Sequence, residues 1–310
     1  MSRRSSDPRA SSATSVGDVT LTDAIMLASG TAGHGAELAA YGNLSALGAV
    51  VTKSLAAFPW EGNRAPRVAP AGVSMINAVG LAGPGVAQWL SHGYEDLRAV
   101  NATVVASIWG RTVEEFAAAA AALRGVPVAA VEINASCPNL EARNAIFANS
   151  PDATAEVVAA TDVLTVPRWV KLTTTAPGLL EVVDAAVSAG ASAVTLGNTL
   201  TGLVIDIDSR QPVLGNGGGG VSGEAARPVA LRAVFDVRAH NPNLPIVGVG
   251  GVSTSGDALA MIMAGADAVQ VGTVTFADPR APWKISRGCR EWMDRHGVVS
   301  LDAIKGAAHG

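Results

Sequence analysis

Between Val131 and Asn139 the chain reads Val-Glu-Ile-Asn-Ala-Ser-Cys-Pro-Asn, an apolar strand ending in Asn134, Ser136, Cys137, Pro138 and Asn139. Pro138 removes a backbone donor and stops the ladder, so polar residues collect where strand becomes loop. A thiol with one carboxamide three residues before it and another two residues after it suits a proton-transfer site that holds a planar, amide-rich ligand. Taken alone, the same residues also describe a buried cysteine whose neighbouring asparagines satisfy a turn. Lys53 just after an apolar strand and Lys171 within another add a second signal, because an unpaired ammonium is costly to bury there. Each lysine, taken singly, could instead snorkel to solvent at a strand end.

These residues need elements to position them. Short apolar runs rich in β-branched residues occur at Ile25–Ala28, Ala49–Thr52, Thr103–Ile108, Val128–Ile133, Trp169–Leu172, Ala193–Leu196, Pro245–Val249 and Ala268–Val271. Between them lie helical stretches such as Val113–Leu123, Ala153–Leu164, Gly178–Ala189, Ala225–Ala239 and Ser255–Ala264. Eight strands with helices between them predict an α/β fold, a (β/α)8 TIM barrel. A doubly wound open sheet is the alternative, and eight near-regular units argue against it. Two connections exceed what a barrel needs, Cys137–Pro151 after strand 4 and Thr199–Gly223 after strand 6, and both are lid candidates.

In such a barrel the strand ends converge on one mouth. Here they carry Ser29-Gly30, Lys53-Ser54, Asn134 to Asn139, Lys171, Asn198-Thr199, Gly250-Gly251 and Gly272-Thr273. Glycine turns after strands 7 and 8, with free backbone N–H groups, form the usual phosphate cradle of these barrels; the bland reading is tight turns without a ligand. FMN would answer both signals, with a phosphate for the glycines and a pyrimidine edge that gains negative charge on reduction for the lysines.

Composition narrows the class. In 310 residues the apolar share is 49% and aromatics are 4%, so a large core can be buried in one globular domain. A net charge of −4 gives no reason to expect nucleic acid, and no apolar run reaches the ~18 residues needed to span a membrane. Cys137 and Cys289 supply neither a disulfide framework nor ligands for an iron-sulfur cluster, which fits a reducing cytoplasm. Residues 1–18, with Arg3, Arg4 and several serines, read as a disordered N-terminal tail, and 19–310 as the barrel domain. The string Gly215-x-Gly217-x-x-Gly220 lies in a long loop with no following helix, so it is not read as a dinucleotide fingerprint. His34, near the end of the first strand, could approach the flavin, and His92, His240, His296 and His309 form no metal-ligand set; solvated or satisfied histidines are the better reading.

At this point the motifs carry a resemblance. Ala-Ser-Gly-Thr (28–31), Thr-Lys-Ser (52–54), Asn-Ala-Val-Gly-Leu (77–81), Asn-Ala-Ser-Cys-Pro-Asn (134–139), Val-Lys-Leu (170–172), Gly-Asn-Thr-Leu-Thr-Gly (197–202), the glycine-rich run 210–223 and Gly-Gly-Val-Ser (250–253) resemble the dihydroorotate dehydrogenases in order and spacing. The loop from Asp206 to Gly223 resembles the class 1B branch, whose members form homodimers of catalytic barrels and work with a second subunit carrying FAD and a [2Fe–2S] cluster to reduce NAD. The resemblance implies Cys137 as catalytic base, with the segment Asn77, Ala78, Val79, Gly80 and Leu81 and the residues Asn134, Asn139, Asn198 and Thr199 holding orotate. It implies Lys53 touching substrate and flavin, and Ser29, Gly30, Ser54, Ser107, Asn134, Lys171, Gly197, Gly223, Gly250, Gly251, Gly272 and Thr273 around FMN.

The sequence departs from that pattern in places. Leu27 and Ser107 stand where relatives usually carry asparagine, the run after Asn139 becomes Leu-Glu-Ala-Arg-Asn, and Ala82-Gly83 replaces a usual Gln-Asn. These departures bear on substrate identity, flavin affinity and partner docking. They leave room for another dihydropyrimidine or cyclic ureide, a phosphate-binding barrel lyase or isomerase, or a flavoprotein that has lost turnover.

Overall fold

The computed structural model describes residues 11–136 and 146–310. Eight parallel strands close into a barrel in sequential order: Ile25–Leu27, Val50–Val51, Val104–Ile108, Ala130–Asn134, Arg168–Leu172, Ala193–Leu196, Ile246–Val249 and Ala268–Val271. They are numbered strands 1 to 8 below. Each coincides, within two or three residues at its ends, with an apolar run read from the sequence.

Side-chain alternation explains the layering. Ile25, Leu27, Val50, Ala106, Ile108, Val131, Ile133, Val170, Leu172, Val194, Leu196, Val269 and Val271 face outward into one continuous core with the helices. Phe116, Val157, Val182, Val234, Ile262 and Ile285 answer them from the helices Val113–Ala122, Pro151–Ala159, Leu179–Ser188, Arg227–His240, Ser255–Ala264 and Ala281–His296. Full burial of each large aliphatic side chain contributes about 1.5–3 kcal/mol. The inward set is smaller and apolar at the amino end of the barrel: Met26, Val51, Val105, Ala130, Trp169, Ala193, Val247 and Ala268. One step toward the carboxyl end the inward side chains become polar, with Ser107, Glu132, Lys171, Thr195 and Gln270 all buried.

Residues 11–18, read as tail, are structured. Thr14–Val16 pairs with Val19–Leu21 through a two-residue turn in which Gly17 has φ +58°, and Val16, Val19 and Leu21 close the floor of the barrel. The signal was too short to register, since only three residues alternate and the hairpin gains its burial from the barrel rather than from itself.

The long connection after strand 6 contains strands of its own. Leu200–Gly202 and Gly219–Gly223 are strands of a four-stranded antiparallel sheet completed by Ser74–Asn77 and Val68–Ala71 from the connection after strand 2. The connection is therefore a paired wall at the carboxyl side of the barrel. A short exposed hairpin, Ile205–Asp206 with Gln211–Pro212, projects from it. No helix among the described residues is long and apolar enough to cross a membrane.

Candidate active site

Polar side chains at the mouth form one connected path. Ser54 Oγ and Ser107 Oγ lie 2.9 Å apart, joining the ends of strands 2 and 3. Asn134 donates its amide to Ser54 Oγ at 3.0 Å and accepts the Ser136 hydroxyl at 2.9 Å. Asn198 donates to Ser136 Oγ at 2.5 Å, and its own carbonyl oxygen accepts the Thr199 backbone N–H at 2.8 Å. Thr199 rests on Gly220, where a Cβ would overlap its hydroxyl, and Asn77 donates to the Gly220 carbonyl at 3.2 Å. Asn77, Asn134 and the pair Asn198-Thr199 thus come from three separate stretches onto one network.

Below this path lies a charge. Lys171, almost fully buried, donates to Ser29 Oγ at 3.0 Å and has Glu132 Oε1 at 3.8 Å. Glu132 also accepts from Ser107 at 3.4 Å, Thr195 at 3.1 Å and Gln270 at 2.8 Å. The sequence reading treated this part of strand 4 as simply apolar and passed over Glu132, Thr195 and Gln270. A single acidic residue in a Val-Glu-Ile run was the available signal, because a carboxylate on the inward face of a central strand demands partners.

The opposite side of the mouth is built from backbone. Gly250 (φ +135°) and Gly251 (φ +68°) follow strand 7, and a Cβ on Gly251 would lie 2.6 Å from Arg227 Cβ and 2.7 Å from the Gly223 carbonyl oxygen. Gly223 in turn faces Thr273, 3.4 Å from its own would-be Cβ to the threonine methyl, and Gly272 packs on Ala28 and Thr31. Gly197 sits against the Val249 carbonyl with no room for a side chain. At these glycines, from the ends of strands 6, 7 and 8, the missing side chain lets the backbone pack directly on a neighbouring element.

The segment 77–81 is fixed from behind. Trp60 Nε1 donates to the Gly80 carbonyl at 2.9 Å, Asn63 donates its backbone and side-chain N–H groups to Val79 and Ala78 at 3.1 Å, and Leu81 adopts φ +60°. Trp60, Phe58 and Trp109 meet edge to face, and the Arg111 guanidinium covers Phe58 and Trp60 at 5.0 and 5.1 Å while pairing with Glu115. Lys53 donates its backbone N–H to Gly33. His34 has a buried Nε2; burial chiefly, and the nearby Lys53 charge next, hold its pKa below the ordinary histidine value despite Glu37, so it is neutral at pH 7. Cys137 and Asn139, with Glu141 and Arg143, lie outside the described residues.

With the barrel and its mouth defined, comparison with known proteins is decisive. The sequence profile described as dihydroorotate dehydrogenase matches residues 11–293. The chain belongs to the dihydroorotate dehydrogenase family. As a member of that family the protein is an oxidoreductase. It is 40% identical over 297 residues to the "Dihydroorotate dehydrogenase B (NAD(+)), catalytic subunit" of Trichlorobacter lovleyi, covering 95% of this chain and 97% of that protein. Proteins of the same name from Geotalea uraniireducens and Pelobacter propionicus are 40% and 41% identical, covering 94% and 93% of this chain and 96% and 95% of theirs.

Against the family's usual pattern, Ser107 is fully buried between Ser54 and Glu132. Its hydroxyl passes the polar path from the mouth down to the charge beneath it. Gly83, another changed position, lies where an added Cβ would stand 3.0 Å from His34 Nε2, so its lack of a side chain makes the room that the imidazole fills. The run Gly215 to Gly220 is turn and strand, with Gly219 and Gly220 paired to Gly202 and Thr201, as expected of a stretch that opens no helix.

Proposed function

We propose that the protein catalyses the oxidation of (S)-dihydroorotate to orotate in de novo pyrimidine synthesis, a cytoplasmic step, with FMN as resident cofactor. The observation that carries the proposal is the division of one mouth into two halves. The bare backbone of Gly223, Gly250, Gly251 and Gly272 suits a phosphate, and the opposing network of Asn77, Asn134, Ser136, Asn198 and Thr199 suits a ring of alternating donors and acceptors. Lys171, a buried cation held between Ser29 and Glu132, supports the reading because a flavin's pyrimidine edge gains negative charge on reduction. The fit of residues to FMN therefore rests on shape at one end and charge at the other.

FMN when bound supplies the two-electron acceptor that takes hydride from C6 of the substrate. The chain supplies the rest. Asn77, Asn134, Asn139 and Asn198 hold the imide and amide edges of the ring, and the amides of Asn77, Asn134 and Asn198 are oriented through Gly220, Ser54 and Ser136 respectively. Cys137, next in the chain after the anchored Ser136, acts as the base that removes the proton from C5, and it must be ionised to do so. Lys53 joins the substrate and flavin ends of the site, while the polar network excludes loosely held water from the amide edge.

The electrons then need an exit. The relatives' names, an NAD(+) enzyme and a catalytic subunit, support a partner subunit that passes the electrons to NAD; the resemblance of the loop from Asp206 to Gly223 to the class 1B branch implies that this partner bears FAD and a [2Fe–2S] cluster and docks on a homodimer of barrels. The decisive experiment is anaerobic addition of dihydroorotate to the purified yellow protein. The flavin band should bleach with formation of orotate; a colourless protein, or a yellow one that dihydroorotate leaves unbleached, would overturn the reading.

A further inference from the structure

The function proposed above assigns no task to Glu132. Its side chain is fully buried inside the barrel, and groups from strands 3, 5, 6 and 8 converge on it: Ser107 and Lys171 on Oε1, Thr195 and Gln270 on Oε2. Packing alone does not call for a carboxylate at this level. The step below is filled by Ala130, Trp169, Ala193 and Ala268, and well-packed apolar residues commonly replace a buried ion pair at no loss of stability. What sets Glu132 apart is its place. It is two residues before Asn134 on the inward face of strand 4, and Asn134 pairs in register with Lys171. Lys171 thus stands between the carboxylate beneath it and Ser29 at the mouth.

We propose that Glu132 is a positioning residue of the cofactor site: it aims Lys171 at the mouth and offsets its charge, tempering how strongly the site favours reduced flavin. This rests on the FMN reading given above. A flavin that takes up two electrons and one proton ends with a net negative charge, which a fixed ammonium stabilises. An unopposed Lys171 would hold the reduced ring too firmly for it to pass electrons on. A carboxylate one layer deeper restores the balance without touching the ring. The hydroxyls of Ser107 and Thr195 and the amide of Gln270 keep that carboxylate from swinging toward the lysine and cancelling its charge outright.

The test compares FMN-loaded wild type, Glu132→Gln and Glu132→Asp by anaerobic titration against a dye of known potential, with FMN dissociation measured in both redox states. Glutamine keeps the shape and removes the charge. Its reduced-to-oxidised ratio at a fixed poise should rise about tenfold or more, about 30 mV for a two-electron couple. Reduced FMN should bind more tightly than in wild type by the same factor relative to oxidised FMN, as linkage requires. Aspartate keeps the charge, and its ratio should stay within threefold of wild type. A glutamine variant less than threefold above wild type overturns the inference, and so does an aspartate variant displaced by more than threefold, which would show that packing sets the ratio. Should the glutamine variant fail to fold, the aspartate titration decides alone. Failure of the wild type to bind FMN would remove the proposed function and this inference with it, and it is read before any variant is compared.

Discussion

Asn198 donates its side-chain amide to the Ser136 hydroxyl at 2.5 Å, reaching from the end of strand 6 past strand 5 to the end of strand 4. Ser136 hands the bond on to Asn134, so one buried hydroxyl orients two asparagines that are 64 residues apart in the chain. Ser136→Ala is expected to cost about 1 kcal/mol of stability and to weaken orotate binding roughly tenfold, because Asn198 loses the acceptor for its amide and Asn134 the donor to its carbonyl. Orotate titration followed by flavin absorbance, alongside a urea melt, checks both; an unchanged orotate affinity would show that the asparagines orient themselves.

Cys137→Ala should retain bound flavin yet slow its reduction by dihydroorotate by about 10²–10⁴, the range for loss of a general base. Serine at this position should retain less activity than cysteine at neutral pH. Stopped-flow reduction under anaerobic conditions gives the rates, and near wild-type reduction by the alanine variant would sink the assignment.

At Gly251 a valine would meet Arg227 Cβ and the Gly223 carbonyl at about 2.6–2.7 Å while forced into φ +68°. Gly251→Val should therefore purify without FMN. The ratio of flavin to protein absorbance reads this directly, and undiminished yellow colour would show that the phosphate lies elsewhere.

Cys289 is the other thiol, and burial first, then the nearby Asp23 charge, push it up to about 12 against the opposing pull of Arg290. At pH 8 in the native protein iodoacetamide should leave Cys289 unmodified, with labelling appearing only on unfolding. Mass mapping of the peptide decides the point, and rapid native labelling would mean the helix Ala281–His296 opens readily.

Thr254 and Asp257 close a capping box on the helix that follows the Gly250-Gly251 turn. Burial works to raise the Asp257 carboxyl, but hydrogen bonds from Ser253 and Thr254 outweigh it and the net displacement is downward. A carboxyl depressed in the folded state adds stability that is present above its unfolded value, about 3.9, and is lost as pH falls toward its lower folded value. Asp257→Asn should cost about 1 kcal/mol at pH 7, with the gap to wild type closing in acid. Melting curves at pH 7 and in the acid range test this; a gap of the same size in acid would remove the carboxylate from the account.

The barrel was legible in the sequence because its evidence is local. Each strand, from Ile25–Leu27 to Ala268–Val271, buries its outward face under helices and shows as an apolar run, and a closed parallel barrel needs such runs at regular intervals. Strand-end residues were legible for the same reason: a polar residue or glycine that ends an apolar run marks the mouth, and Asn134, Asn198 and Gly251 all declare themselves so.

What only the tertiary structure decided is everything that depends on two distant stretches meeting. Gly219 and Gly220 have no side chains to alternate, so nothing local marks them as strand; they pair because Thr199 and the Asn77 backbone need a neighbour without a Cβ. The floor hairpin Thr14–Leu21 is short and gains its stability from the barrel it plugs. Glu132 was hidden in plain sight. By sequence it is a charge inside an apolar strand; sheet pairing brings Ser107 and Lys171 beside it from strands 3 and 5, and only closure of the barrel brings Thr195 and Gln270 across from strands 6 and 8, the latter 138 residues away.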